Sequence, residues 1–107
     1  MMMQKTSRKK RSDRLHIVYQ IIVAGQSYIG ITAKTAGTIE KSLQDRFMKH
    51  VYRARREAKD WPLYNAMRKH GDDNAFVDVV CILRGKAEAH ALERVIIRKL
   101  QPQLNLA

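Results

Sequence analysis

His16-Ile-Val-Tyr-Gln-Ile-Ile-Val-Ala-Gly-Gln-Ser-Tyr-Ile-Gly-Ile-Thr32 sets two runs rich in β-branched residues on either side of a Gly25-Gln26 step. Glycine at the first central position of a two-residue loop signals a type II′ hairpin turn. A loop at Gly25 and Gln26 places Ala24 opposite Ser27, Ile21 opposite Gly30 and Tyr19 opposite Thr32. Side chains alternate faces along a strand, so Tyr19, Ile21, Tyr28 and Gly30 share one face. In that register the two tyrosines stand about 13 Å out of step, at ~3.3 Å per residue. Gly30 lies between them without a side chain and leaves a notch where a ligand reaches backbone. A same-face pair of strand tyrosines is more often half-buried packing than chemistry. The hairpin alone leaves both readings open.

The chain around it has 107 residues, enough for one small domain with a modest core. No run approaches the length that spans a bilayer, and the N-terminus lacks the apolar stretch of a secretory signal. An intracellular, cytoplasmic protein is expected. The single cysteine, Cys81, excludes an internal disulfide and a cysteine-rich zinc site, and reads as a buried strand thiol. Neither internal repeats nor a second domain are visible.

Charge narrows the partners. Lys and Arg number 21 against 10 Asp and Glu, a net charge of +11. Residues 1–14 carry +5 and residues 40–59 carry +4, while the remaining segments carry +1 each. A polyanion partner follows, nucleic acid being the commonest. The first 15 residues read as a disordered basic arm in which Lys9, Lys10 and Arg11 supply salt-sensitive phosphate contacts, and residues 16–107 as the folded domain.

Beyond the hairpin, Thr38 caps a helix expected from Ile39 to Lys59, with Lys41 instead of Glu at the third position of an incomplete capping box. Leu43, Phe47, Val51, Ala54 and Ala58 form its buried stripe. Arg46, His50 and Arg53 form a second stripe about 100° round the helix, at the edge of the buried face. Trp61 reads as a core or lid residue, with base stacking as its other role. Pro62 opens a short helix to His70, ended by the Gly71 turn. A strand follows over Ala75–Leu83, then a helix over Lys86–Leu100 with Leu92, Val95, Ile96 and Leu100 as its apolar face. Glu93 on that helix has Ala89 and Ile97 as its i−4 and i+4 neighbours, neither a charge partner. An exposed glutamate and a metal ligand are both open readings for it.

Ile17-Val18-Tyr19 followed by Tyr28-Ile29-Gly30 resembles the paired signature of the GIY-YIG nuclease family. The second half matches fully; in the first, Ile17 and Val18 stand for the family's glycine and isoleucine. Arg46-Phe-Met-Lys-His50 is similar to the family's arginine and histidine four positions apart on the first helix. Leu63, Ala66, Lys69, Gly71 and Phe76 fall where the family has a helix, a glycine turn and an aromatic opening the third strand. Glu93, Pro102 and Asn105 follow the order of its metal-binding glutamate, proline and asparagine. Many members carry another histidine before the short helix, where this chain has Lys59, Asp60 and Trp61. The resemblance covers residues 16–105.

It implies an α+β fold, a three-stranded antiparallel sheet flanked by helices, and metal-dependent cleavage of DNA. Under it, Glu93 holds a single Mg²⁺ or Mn²⁺. Tyr19 orients and deprotonates the attacking water, His50 relays that proton, and Arg46 lowers the phenol's pKa while clamping phosphate. Tyr28 binds phosphate or water, and Asn105 supports the geometry by hydrogen bonds. Gly30, Lys49 and Arg53 join the arm in contacting nucleic acid. Stand-alone domains of this kind resemble those of phage and mobile-element (homing) endonucleases. They work beside the nucleoid as monomers in solution that can pair on DNA. A non-catalytic binding module on the same fold is the alternative, and a ribosomal-type RNA-binding protein explains the charge but not the polar cluster.

Overall fold

The computed structural model describes residues 14–105, so Lys9, Lys10 and Arg11 lie outside the described residues. Three strands and three helices follow in the order β1 (Leu15–Val23), β2 (Gln26–Ala33), α1 (Ile39–Arg56), α2 (Pro62–His70), β3 (Ala75–Arg84) and α3 (Lys86–Leu100). The sheet is antiparallel with strand order β2-β1-β3. This is the expected α+β architecture.

The hairpin turns one residue earlier than Gly25-Gln26. Val23 pairs with Gln26, and Ala24 and Gly25 form the loop with φ of 51° and 81°. Positive φ at both central residues is the type I′ condition, which matches the twist of the strands better than the unprimed turns. The register therefore moves by two. Ile21 faces Tyr28, and Tyr19 faces Gly30. A shift of two preserves which side chains share a face, so the tyrosines stay together but come much closer than the sequence register placed them.

One face of the sheet buries Ile17, Tyr19, Ile21 and Val23 against Leu43, Val51 and Ala54 of α1 and Leu63, Tyr64, Ala66 and Met67 of α2. The other buries Val18 and Ile29, with Ala89 of α3 fully enclosed. Thr38 caps α1 as expected, its Oγ1 accepting from the Lys41 N–H at 3.0 Å. That helix ends at Arg56, not Lys59. Arg68 of α2 donates to the carbonyls of Ala54, Glu57 and Lys59, at 2.8, 3.3 and 2.7 Å, and so takes up acceptors at the helix end. Ala58 consequently falls beyond the helix and is exposed, outside the buried stripe. Cys81 is half-buried because β3 is an edge strand. On α3, Leu92 and Ile96 are half-buried, whereas Val95 and Leu100 are exposed. No helix among the described residues is long and apolar enough to cross a membrane.

Candidate active site

Gly30 creates the site by what it lacks. It pairs with Tyr19 across the hairpin, and the phenol of Tyr19 folds over it. The ring thereby stays within the sheet face, fully buried, with its hydroxyl pointing to α1. There the second stripe of that helix receives it. Tyr19 Oη lies 2.7 Å from His50 Nε2 and accepts from Arg46 Nε–H at 3.3 Å. Arg46 and His50 are four residues apart and so share one helix face. Tyr28 packs beside them, its ring centroid 6.3 Å from that of Tyr19 and edge-on to His50 at 5.5 Å.

Burial governs the electrostatics. It pushes the Tyr19 phenol well above its ordinary range; Tyr28 and Glu93 add to the shift, and Arg46 only partly offsets it. Arg46 does lower the phenol's pKa, as the resemblance implies, but desolvation outweighs that guanidinium. Tyr28 is raised for the same first reason. Burial, with Arg46 and Arg53 behind it, lowers His50 to about 4, so its imidazole is neutral at pH 7. The two neutral groups share a 2.7 Å contact, and moving the phenol's proton across it alone would leave a phenolate and an imidazolium, both disfavoured by burial.

Glu93 is brought near this cluster by α3, close enough for its charge to act on both phenols. It has a partner that an i±4 search misses: His90 Nδ1 lies 3.5 Å from its Oε1, three residues back. Burial raises the carboxyl above its usual range, with His90 pulling back. Among the described residues no group of three His, Cys, Asp or Glu side chains is placed to hold a metal ion. A single half-buried carboxylate nevertheless suits Mg²⁺, which keeps several waters and takes one or two protein carboxylates plus substrate phosphate.

Asn105 binds backbone beside Tyr28. Its amide accepts from the Ile29 N–H at 2.8 Å and donates to the Ile29 carbonyl at 2.9 Å, pairing with the free edge of β2 as another strand would. Arg53 is half-buried near His50, and Lys49 is exposed on the outer face of α1.

Two hollows flank the cluster. The larger, about 530 Å³, is lined by Arg14, Arg46 and Lys86 with His16 and His90. Its rim is tied together by the Arg14 carbonyl, which accepts from His16 Nδ1–H at 2.9 Å and from the Gly85 N–H at 3.0 Å. The smaller, about 220 Å³, lies between Tyr28, His50, Trp61 and Tyr64. Trp61 is 41% exposed, stacked on Tyr64 at 5.1 Å with Lys59 over its ring, and so is a rim residue rather than core.

The chain matches no family model, no curated protein and no solved structure.

The sequence reading did not single out Tyr64, His16, His90 or Lys86. Tyr64 carried the clearest signal, a phenol on the same stripe as Met67 whose hydroxyl needs a partner once buried. His50 Nδ1 is that partner, at 3.1 Å.

Proposed function

We propose that this chain is a DNA endonuclease of the GIY-YIG type, hydrolysing phosphodiester bonds with a single divalent cation. The observation that supports this reading best is the convergence of Tyr19, His50 and Arg46 on one buried hydroxyl, above a glycine that makes room for it. A packed strand tyrosine needs a neighbour for its hydroxyl; it does not need an arginine and a neutral histidine together. Structural burial alone gives no reason for that pairing.

Each group has a task within the reaction. The basic hollow draws the DNA backbone in, and Arg46, which lines it, sets the scissile phosphate beside Tyr19. As Arg46 turns from Tyr19 to the phosphate it uncovers the Tyr19 hydroxyl, buried in the free protein. That hydroxyl then accepts a hydrogen bond from the attacking water and takes its proton while passing its own to His50. With its pKa raised, Tyr19 acts as a conduit and not as a standing phenolate. Tyr28 offers a second hydroxyl to phosphate or water. Glu93 would hold Mg²⁺ or Mn²⁺, which supplies charge neutralisation at the phosphoryl oxygens and the leaving oxygen. Asn105 keeps β2 in register, and with it Tyr28 and Gly30. Gly30, Lys49 and Arg53 border the path of the nucleic acid.

One such site cuts one strand, so this enzyme works as a monomer that nicks and as a pair on DNA that cuts both strands. Its place is the cytoplasm, with the nucleoid. The alternative is a binding module without catalysis, favoured by the basic hollow, which needs no chemistry to hold a polyanion. Incubating supercoiled DNA with Mg²⁺ and with EDTA separates them: cutting in Mg²⁺ alone supports the enzyme, and retention without cutting supports the module.

A further inference from the structure

Three side chains of the buried cluster stand in line, and the third, Tyr64, has no role in the scheme just given. Tyr19 Oη meets His50 Nε2 at 2.7 Å, and on the far side of the ring His50 Nδ1 meets Tyr64 Oη at 3.1 Å. Tyr64 is fully buried and His50 is 4% exposed, so the imidazole is enclosed by these partners. Arg46 can only donate, so the Tyr19 oxygen accepts from it. The hydrogen of Tyr19 then has two places to go, the neighbouring Tyr28 and, at 2.7 Å, Nε2 of His50; in the proposed arrangement it lies on Nε2. A neutral imidazole that accepts at Nε2 carries its hydrogen on Nδ1. In that arrangement the hydrogen faces Tyr64 Oη, 3.1 Å away.

We propose that Tyr64 is a positioning residue for this chemistry: it holds His50 in the Nδ1–H tautomer and gives the proton taken by Tyr19 an outlet away from the substrate. The inference rests on the nuclease reading for its consequence in catalysis, though not for the tautomer itself. Tyr64 and His50 both line the 220 Å³ hollow beside Trp61, separate from the basic hollow where the backbone is held. Water entering that hollow and reaching the enclosed Tyr64 hydroxyl would be the acceptor at the end of the line.

The transfer balances. The water oxygen bonds phosphorus as the bond from phosphorus to the 3′ oxygen breaks, and one water hydrogen passes to Tyr19 Oη. The former Tyr19 hydrogen moves to His50 Nε2, the Nδ1 hydrogen moves to Tyr64 Oη, and the former Tyr64 hydrogen leaves to water. The 3′ oxygen takes up a proton from solvent, so no net proton or charge remains on the protein. His50 ends as the Nε2–H tautomer and returns by the reverse transfers between turnovers. Burial disfavours both a Tyr19 phenolate and a His50 imidazolium, which is why a through-going path serves better than a charge held at either.

The test combines histidine ¹⁵N NMR of the full chain with Tyr64→Phe, which keeps the ring and removes the hydroxyl. The wild-type spectrum is expected to show His50 protonated at Nδ1. In Tyr64→Phe it is expected to turn toward Nε2–H, with single-turnover cleavage slowed by roughly 10- to 100-fold and DNA affinity unchanged. Wild-type His50 protonated at Nε2 would overturn the proposal, and so would Tyr64→Phe cutting at the wild-type rate with its tautomer unmoved. Should the variant not fold, the wild-type tautomer decides alone. Should the wild type cut nothing, the nuclease reading falls, and the spectra still decide whether Tyr64 sets the tautomer.

Discussion

Tyr19 occupies the space that a side chain at Gly30 would need: a Cβ built there lies 2.5 Å from the Tyr19 hydroxyl and 2.6 Å from its Cζ. The two residues are partners across the hairpin, so the strand register itself delivers the phenol to His50 and Arg46.

Gly30→Ala tests that delivery. Gly30 is not among the positive-φ residues, so an alanine fits the backbone and fails only on space. Overpacking of this kind costs about 1–3 kcal/mol. Equilibrium unfolding is expected to register that loss, and cleavage to fall by at least ~10-fold as Tyr19 is displaced. Wild-type cleavage by the alanine variant would show that this position of the phenol does not matter.

The lowered pKa of His50 makes stability depend on pH with a defined sign. Between about 4 in the folded chain and ~6.5 unfolded, the unfolded state binds more protons. The contribution is therefore complete above pH ~6.5 and lost as pH falls toward 4, by up to about 3 kcal/mol. Unfolding free energies measured from pH 7 to pH 4.5 should drop along that window. His50→Gln, which cannot titrate, should flatten the drop; an unchanged slope in that variant would place the pH sensitivity elsewhere.

Asn105 acts on structure, through two hydrogen bonds to one residue's backbone. Asn105→Asp loses the donor and sets a carboxylate against the Ile29 carbonyl, an expected cost of about 1–3 kcal/mol. Melting should reveal it. If instead the variant melts like the wild type and loses only cleavage, Asn105 belongs to the chemistry.

The basic hollow adds Arg14 and Lys86, outside the α1 stripe, to Arg46 in the surface proposed to hold DNA. Lys86→Ala is expected to weaken DNA binding and to reduce the slope of log affinity against log salt by about one. Cleavage of DNA already bound, measured at saturating protein, should not change. A fall in that rate at saturation would mean that Lys86 acts on the reacting phosphate.

Much of this arrangement was readable from the residues, for local reasons. Pro62 at a helix start and the apolar spacing on α3 gave both helices their observed bounds, because those cues lie in adjacent residues. Arg46 and His50 were legible as a stripe since helical spacing alone puts them together. The turn was misread because Ala24 adopts positive φ, which an alanine seldom does, although a shift of two kept every face intact. The end of α1 was misread because Arg68, twelve residues beyond Arg56, supplies the acceptors' partners. Tyr64, His16 and Lys86 join their hollows only through tertiary packing. The competition between burial and Arg46 at Tyr19 needs the enclosed volume, which sequence spacing does not give.

The most direct test is supercoiled plasmid incubated with the protein in Mg²⁺, with the protein in EDTA, and with Glu93→Ala in Mg²⁺. Nicked or linear DNA is expected in the first condition alone, since removing either the cation or its one carboxylate anchor abolishes the reaction. Intact plasmid in all three with the protein still bound, or undiminished cutting by Glu93→Ala, would contradict the account.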